Sequence, residues 1–108
     1  MSTATRILGV DPGSHATGWG VVQVVPTVRR IASGVIRPGR EASLPVRLLT
    51  IHEELAAVIV SHAPDVMAIE DLFNAKNARS SLILGHARGA AMLAGARAGL
   101  LVHEYSPG

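Results

Sequence analysis

No cysteine occurs among the 108 residues. That absence excludes a disulfide framework and any thiolate metal site, and it fits a reducing compartment. Aromatic residues are scarce as well: Trp19, Phe73 and Tyr105 are the whole set, although 48% of the chain is apolar. The core must therefore be aliphatic and rich in alanine. Lysine is nearly missing, with Lys76 standing against nine arginines. Arginine presents a planar fork suited to phosphate, and it is equally a mark of GC-biased composition. The formal charge of +2 permits an anionic partner without demanding one. No basic segment leads into a long apolar run at the N-terminus, so no secretory signal is read and a cytoplasmic location is expected. The longest weakly polar stretch, residues 82–102, contains His86, Arg88 and Arg97, which argues against a membrane span. No repeat or low-complexity tract breaks the chain, and its length suits one α/β unit.

What is present is organised around residues 6–20. A short apolar run from Ile7 to Val10 delivers Asp11 into Pro12-Gly13, and a second apolar run begins near Trp19. Runs of this length bounded by Pro and Gly predict strand, turn, strand over 6–11 and 18–26. A third strand is expected over 30–37, completing an antiparallel meander. The period then changes: Leu48, Leu49, Ile51, Leu55, Val58 and Ile59 fit helical spacing, with Ser43 as N-cap and Pro45 in the first turn. Ala63-Pro64-Asp65 should stop that helix before a fourth strand, 66–70. A second helix is expected over 78–98, with Gly99 as its cap and a fifth strand over 100–103. Within this helix Leu82, Gly85, Gly89, Met92 or Leu93, and Ala96 share a face. Its interior glycines suggest close approach by the sheet or by another subunit. Strand–helix–strand–helix–strand after a meander implies a mixed sheet whose helical crossovers need not cover both faces.

Two strands end in acids. Asp11 closes the first and Glu70, followed by Asp71, closes the fourth. An Asp before a tight turn is often a turn-former only. If the two strands are parallel neighbours, however, Asp11 and Glu70 emerge at one rim, where open α/β sheets place ligands. Carboxylates so placed repel until a hard divalent cation joins them, and Mg2+ is the oxygen-seeking choice. Asp71 should point to the other side of the pleat. Gly13, Ser14 and Thr17 suggest a phosphate-cradling turn, although the spacing and lysine of a P-loop are absent. His86 and His103 read as surface or packing residues.

The segments ILGVDPGSHATGWGVV, AIEDLFNAKNARSSLILGHARGAA and VHEYSP together resemble the RuvC family of Holliday-junction resolvases. The resemblance runs over essentially the whole chain. It implies a ribonuclease H-like fold and a homodimer that cuts four-way DNA junctions with Mg2+, or Mn2+ as a substitute. On this resemblance Asp11 and Glu70 are catalytic and hold the metal, and Phe73 contacts bases at the junction centre. The helix bearing Leu82, Gly85 and Gly89 is the dimer contact. Ser14, Lys76 and Arg79 are candidate DNA-backbone contacts, with Arg88 a further one. Branch-migration proteins are implied partners, and no membrane is involved.

Family members continue past the point where this sequence ends, supplying a basic segment and two further carboxylates. The expectation is therefore a single, incomplete ribonuclease H-like domain of five mixed strands and helices, lacking the C-terminal part. It should bind junctions weakly and cleave them negligibly. The alternatives are a non-catalytic dimerising or DNA-binding half-domain, a related nuclease of ribosomal RNA maturation, and an actin-like phosphotransferase. The AKNARS segment favours the resolvase, and the phosphotransferase would need a second, duplicated domain.

Overall fold

The computed structural model describes residues 5–71 and 77–106. Strands β1 (Arg6–Asp11), β2 (Thr17–Gln23) and β3 (Arg29–Ile36) form the expected antiparallel meander. Helix α1 (Leu44–His62) leads to β4 (Val66–Glu70), and α2 (Ala78–Arg97) leads to β5 (Leu101–Tyr105). Both β4 and β5 add parallel, giving one five-stranded sheet in the order β3-β2-β1-β4-β5.

The helix ends follow local chemistry. Ser43 caps α1 by accepting from the Val46 amide, and Ala63 turns left-handed to close it on the Ile59 carbonyl at 2.9 Å. Asn77 caps α2 by accepting from the Ser80 amide at 2.9 Å. Ala98 is the residue that closes α2, and Gly99, expected as the cap, follows it with φ +79. Three strands also differ in their bounds, β3 lying one residue earlier than expected. β2 ends at Gln23, three residues short of Pro26, and β5 runs on to Tyr105. The extension of β5 is held by its ladder with β4, in which Glu70 faces Tyr105.

Alternation divides the sheet cleanly. Leu8, Val10, Thr17, Val21, Ile36, Met67 and Ile69 point to one face and are buried there with Ile51 and Leu55 of α1 and Ala87, Ala91 and Ala94 of α2. Both helices pack on that face and against each other. Among the described residues nothing covers the opposite face, where Val35 and Leu101 are 49% and 63% exposed. The close approach of α2 to the sheet occurs at Gly95, not at Gly85 or Gly89. A Cβ on Gly95 would sit 2.9 Å from the end of Met67, whereas one on Gly85 or Gly89 would meet nothing within 4 Å. Small alanines and Gly95 form the inner stripe of α2, so its other glycines face outward. No helix among the described residues is long and apolar enough to cross a membrane.

Register decides which side chains reach the open face. Asp65 clips the start of β4 to β1, accepting from the Arg6 amide at 2.8 Å and donating its own amide to the Arg6 carbonyl at 2.8 Å. Arg6 also donates from its guanidinium to the His62 carbonyl at the end of α1, at 2.9 Å. These bonds start the ladder at Ile7 opposite Val66. A slip of one residue would turn every β4 side chain to the other face.

Candidate functional site

With that register, Val10 lies opposite Ile69, and the next residues along the two strands are Asp11 and Glu70. Their side chains leave the carboxyl rim together on the face without helices, within hydrogen-bonding reach of each other. That contact with Asp11 is the main reason the Glu70 carboxyl is held above its ordinary value; loss of water and the Asp11 charge add to it. Asp11 is exposed and Glu70 half-buried. Tyr105, the cross-strand partner of Glu70, stands on the same face at 45% exposure. Its phenol is pushed up, first by partial burial and then by the charges of Glu70 and Asp11. Two acids and a phenol thus share one corner, a hard-oxygen donor set. Asp11 and Glu70 suit one hydrated divalent cation. Among the described residues no group of three His, Cys, Asp or Glu is gathered to hold a metal.

The turn that presents Asp11 is closed internally. Thr17 Oγ1 accepts from the Gly13 amide at 3.2 Å and donates to the Gly13 carbonyl at 2.8 Å. Thr17 is fully buried, so its hydroxyl holds the turn and is not open to a phosphate. Gly13 is required by space: a Cβ there would lie 2.4 Å from the Ala16 carbonyl oxygen. The phosphate-cradle reading of Gly13, Ser14 and Thr17 is corrected accordingly. Ser14 itself is 8% exposed and offers little surface to a DNA backbone.

Arg88 needs a second correction. As a candidate for DNA contact it should reach solvent, yet its side chain is only 14% exposed and turned inward. Its Nε–H donates to the Glu70 carbonyl at 3.3 Å, and its terminal nitrogens pair with Glu104 and lie 3.8 Å from Asp71 and 3.3 Å from the Met92 sulfur. Asp71 accordingly faces the helix side, as the pleat requires. Arg79 is exposed in the first turn of α2, and Leu82, Gly85 and Gly89 lie along its outer face. The His86 Nδ1–H donates to its own helix's Leu82 carbonyl, 2.7 Å away. Phe73 and Lys76 lie outside the described residues. Sequence reasoning missed Tyr105 as a neighbour of the acids because it ended β5 at His103. The alternation of VHEY, with Val102 inward and Tyr105 outward, is the signal that would have found it.

The family model for "Crossover junction endodeoxyribonuclease RuvC" matches residues 7–108. Among curated relatives, the crossover junction endodeoxyribonuclease RuvC of Caulobacter vibrioides is 54% identical over 103 residues, covering 94% of this chain and 61% of its own length. The corresponding protein of Maricaulis maris is 49% identical, with 98% and 64% covered. Among solved structures, T. thermophilus RuvC in complex with a Holliday junction substrate superposes with a TM-score of 0.87 at 27% identity, covering 95% of this chain and 65% of that one. The yeast mitochondrial Holliday junction resolvase Ydc2, at 13% identity and a TM-score of 0.63, shares the fold. The chain therefore spans a little under two thirds of the length of these RuvC relatives. Its ribonuclease H-like sheet, the matched residues and these identities lead to one conclusion: the chain belongs to the RuvC family of crossover junction endodeoxyribonucleases.

Proposed function

We propose that this chain recognises four-way DNA junctions and carries the carboxylates for metal-dependent phosphodiester hydrolysis at them. The observation that carries the reading is the meeting of Asp11 and Glu70 at one rim of adjacent parallel strands. Both acids are the proposed catalytic and metal-holding residues, with Mg2+ the natural ion and Mn2+ a substitute. Bound there, a divalent ion supplies charge neutralisation and a more acidic water for hydrolysis. The chain's own part is positional. Thr17 holds the turn behind Asp11, Arg88 holds the backbone of Glu70, and Tyr105 brings a hydroxyl to the same corner.

Residues 1–108 are read as one nuclease domain. The outer face of α2, with Leu82, Gly85 and Gly89, is the proposed homodimer contact: its glycines have open space above them and a 65% exposed leucine beside them. Two-fold pairing would present two acid corners to two strands of a junction. Arg79 and Lys76 are proposed contacts to the DNA backbone and Phe73 to junction bases. Branch-migration proteins as partners and a cytoplasmic location rest on the family.

The acid count supports slow turnover: among the described residues no third His, Cys, Asp or Glu joins Asp11 and Glu70 in a metal-holding group. Two carboxylates hold one hydrated cation better than a pair of cations, so these 108 residues are proposed to bind junctions and to cleave them slowly at best. The test compares a labelled four-way junction with linear duplex of the same sequence, with Mg2+ or Mn2+. Preference for the junction, retained in Asp11→Asn, supports the reading. Equal affinity for both DNAs overturns it. Rapid cleavage that disappears in Asp11→Asn would keep the activity and overturn the limit on turnover.

A further inference from the structure

At the rim that carries Asp11 and Glu70, the end of β3 and the turn after β1 enclose a cleft lined by His15, Ala16, Arg37, Gly39 and Arg40. The four ends belong together because β1, β3, β4 and β5 all run in one direction, each finishing at this rim. Gly39 has φ +106, a conformation that residues with side chains rarely adopt, and it turns the chain so that Arg37 and Arg40 border the same hollow. His15, Arg37 and Arg40 are exposed, and none of the lining side chains is acidic; Glu41, next in the chain, is not among them.

We propose that this cleft is a phosphate-binding site for the junction strand whose scissile phosphate meets Asp11 and Glu70, with Arg37 and Arg40 as the binding residues and His15 as their neighbour. The inference rests on the reading of the chain as a junction binder and adds the site that holds the strand. Spacing supports it. β3 lies two ladder steps from β1 and three from β4, so the β3 end of the cleft is about 10 Å along the rim from Asp11 and about 15 Å from Glu70. A strand crossing the rim carries a phosphate over the cleft within a few nucleotides of the one at the acids. Charge supports it too. The acid corner repels a phosphodiester, and guanidinium forks beside it offset that repulsion while fixing the strand's direction. Such contacts carry no base preference, which suits recognition by branched shape.

The test measures junction affinity of this chain by fluorescence anisotropy across a KCl series. Removing one arginine–phosphate pairing should flatten the plot of log K against log salt by about one. Arg37→Gln with Arg40→Gln is expected to reduce the slope by about one to two. Arg37→Lys with Arg40→Lys, which keeps both charges, should keep most of it. The control is Arg29→Gln with Arg30→Gln, an equal removal of charge at the opposite end of β3, which should leave the slope unchanged. A parent slope retained in the Arg37/Arg40 glutamine pair, or an equal fall in the control pair, overturns the cleft while leaving junction binding intact. A parent chain that does not retain the junction even at low salt overturns the proposed function, and this site with it.

Discussion

Arg88 on α2 and Glu70 on β4 are joined through the main chain: the Arg88 Nε–H donates to the Glu70 carbonyl oxygen at 3.3 Å. The same guanidinium pairs with Glu104 on β5 and approaches Asp71. One side chain beneath the sheet thus ties together the ends of two strands whose upper face bears Glu70 and Tyr105. Because Glu104 and Asp71 are 52% and 38% exposed, water screens much of the ionic attraction. The packed stem and the bond to the carbonyl remain. Arg88→Ala is expected to cost about 1–2 kcal/mol in urea unfolding and to weaken Mg2+ binding at the acid pair. Arg88→Lys should recover part of both. Full metal affinity in the alanine variant would disconnect the guanidinium from the site.

The acid pair predicts a pH dependence whose sign follows from Glu70. Its carboxyl is raised on folding above the ordinary 4.5. The folded chain therefore holds that proton more tightly than the unfolded one. The stability it contributes is complete below the ordinary value and is lost as pH rises through the raised one. Asp11→Asn removes the contact that raises Glu70, so the variant should melt higher than the parent at pH 7 without metal. The gap should close toward acid pH. Adding Mg2+ should raise the melting temperature of the parent and barely move the variant. A variant that melts lower than the metal-free parent at neutral pH would contradict this coupling.

Thr17 should be intolerant of an isosteric change. Its hydroxyl is both acceptor and donor to Gly13 in a fully buried position. Thr17→Val keeps the volume and strands two main-chain polar groups, at a cost of about 2–3 kcal/mol. Thr17→Ser keeps the hydroxyl and should cost less. Denaturant midpoints of the two variants check the order.

The glycines of α2 should respond in opposite directions. Gly95→Ala forces a Cβ to within 2.9 Å of Met67 and 3.1 Å of Val102, and should destabilise by about 1 kcal/mol or more. Gly85→Ala and Gly89→Ala meet open space within the chain. In dilute monomer each should stabilise by about 0.5–1 kcal/mol, the usual helix-interior difference. Gly89→Leu should fold and yet disrupt the proposed dimer, read as a drop in sedimentation coefficient at high concentration. An unmodified chain that sediments as a monomer throughout would remove the dimer face.

Much of the fold was legible because it depends on local pattern. Apolar runs punctuated by Pro and Gly marked β1 and β4 to the residue, and the change from period 2 to helical spacing marked α1 and α2. The two strand-end acids were visible for the same reason: a charge at the end of an apolar run interrupts the pattern. What sequence could not supply was the pairing. Only the Arg6–Asp65 clip and the resulting register bring Asp11 beside Glu70, and only the β4–β5 ladder carries β5 on to Tyr105. Arg88 and Arg79 look alike as charges on one helix. The tertiary packing turned Arg88 inward, onto Glu70, and left Arg79 in water. Composition and local pattern determine that the core is aliphatic and that acids end two strands; which groups meet was decided by the ladder, because hydrogen-bond register and helix facing join residues far apart in the chain.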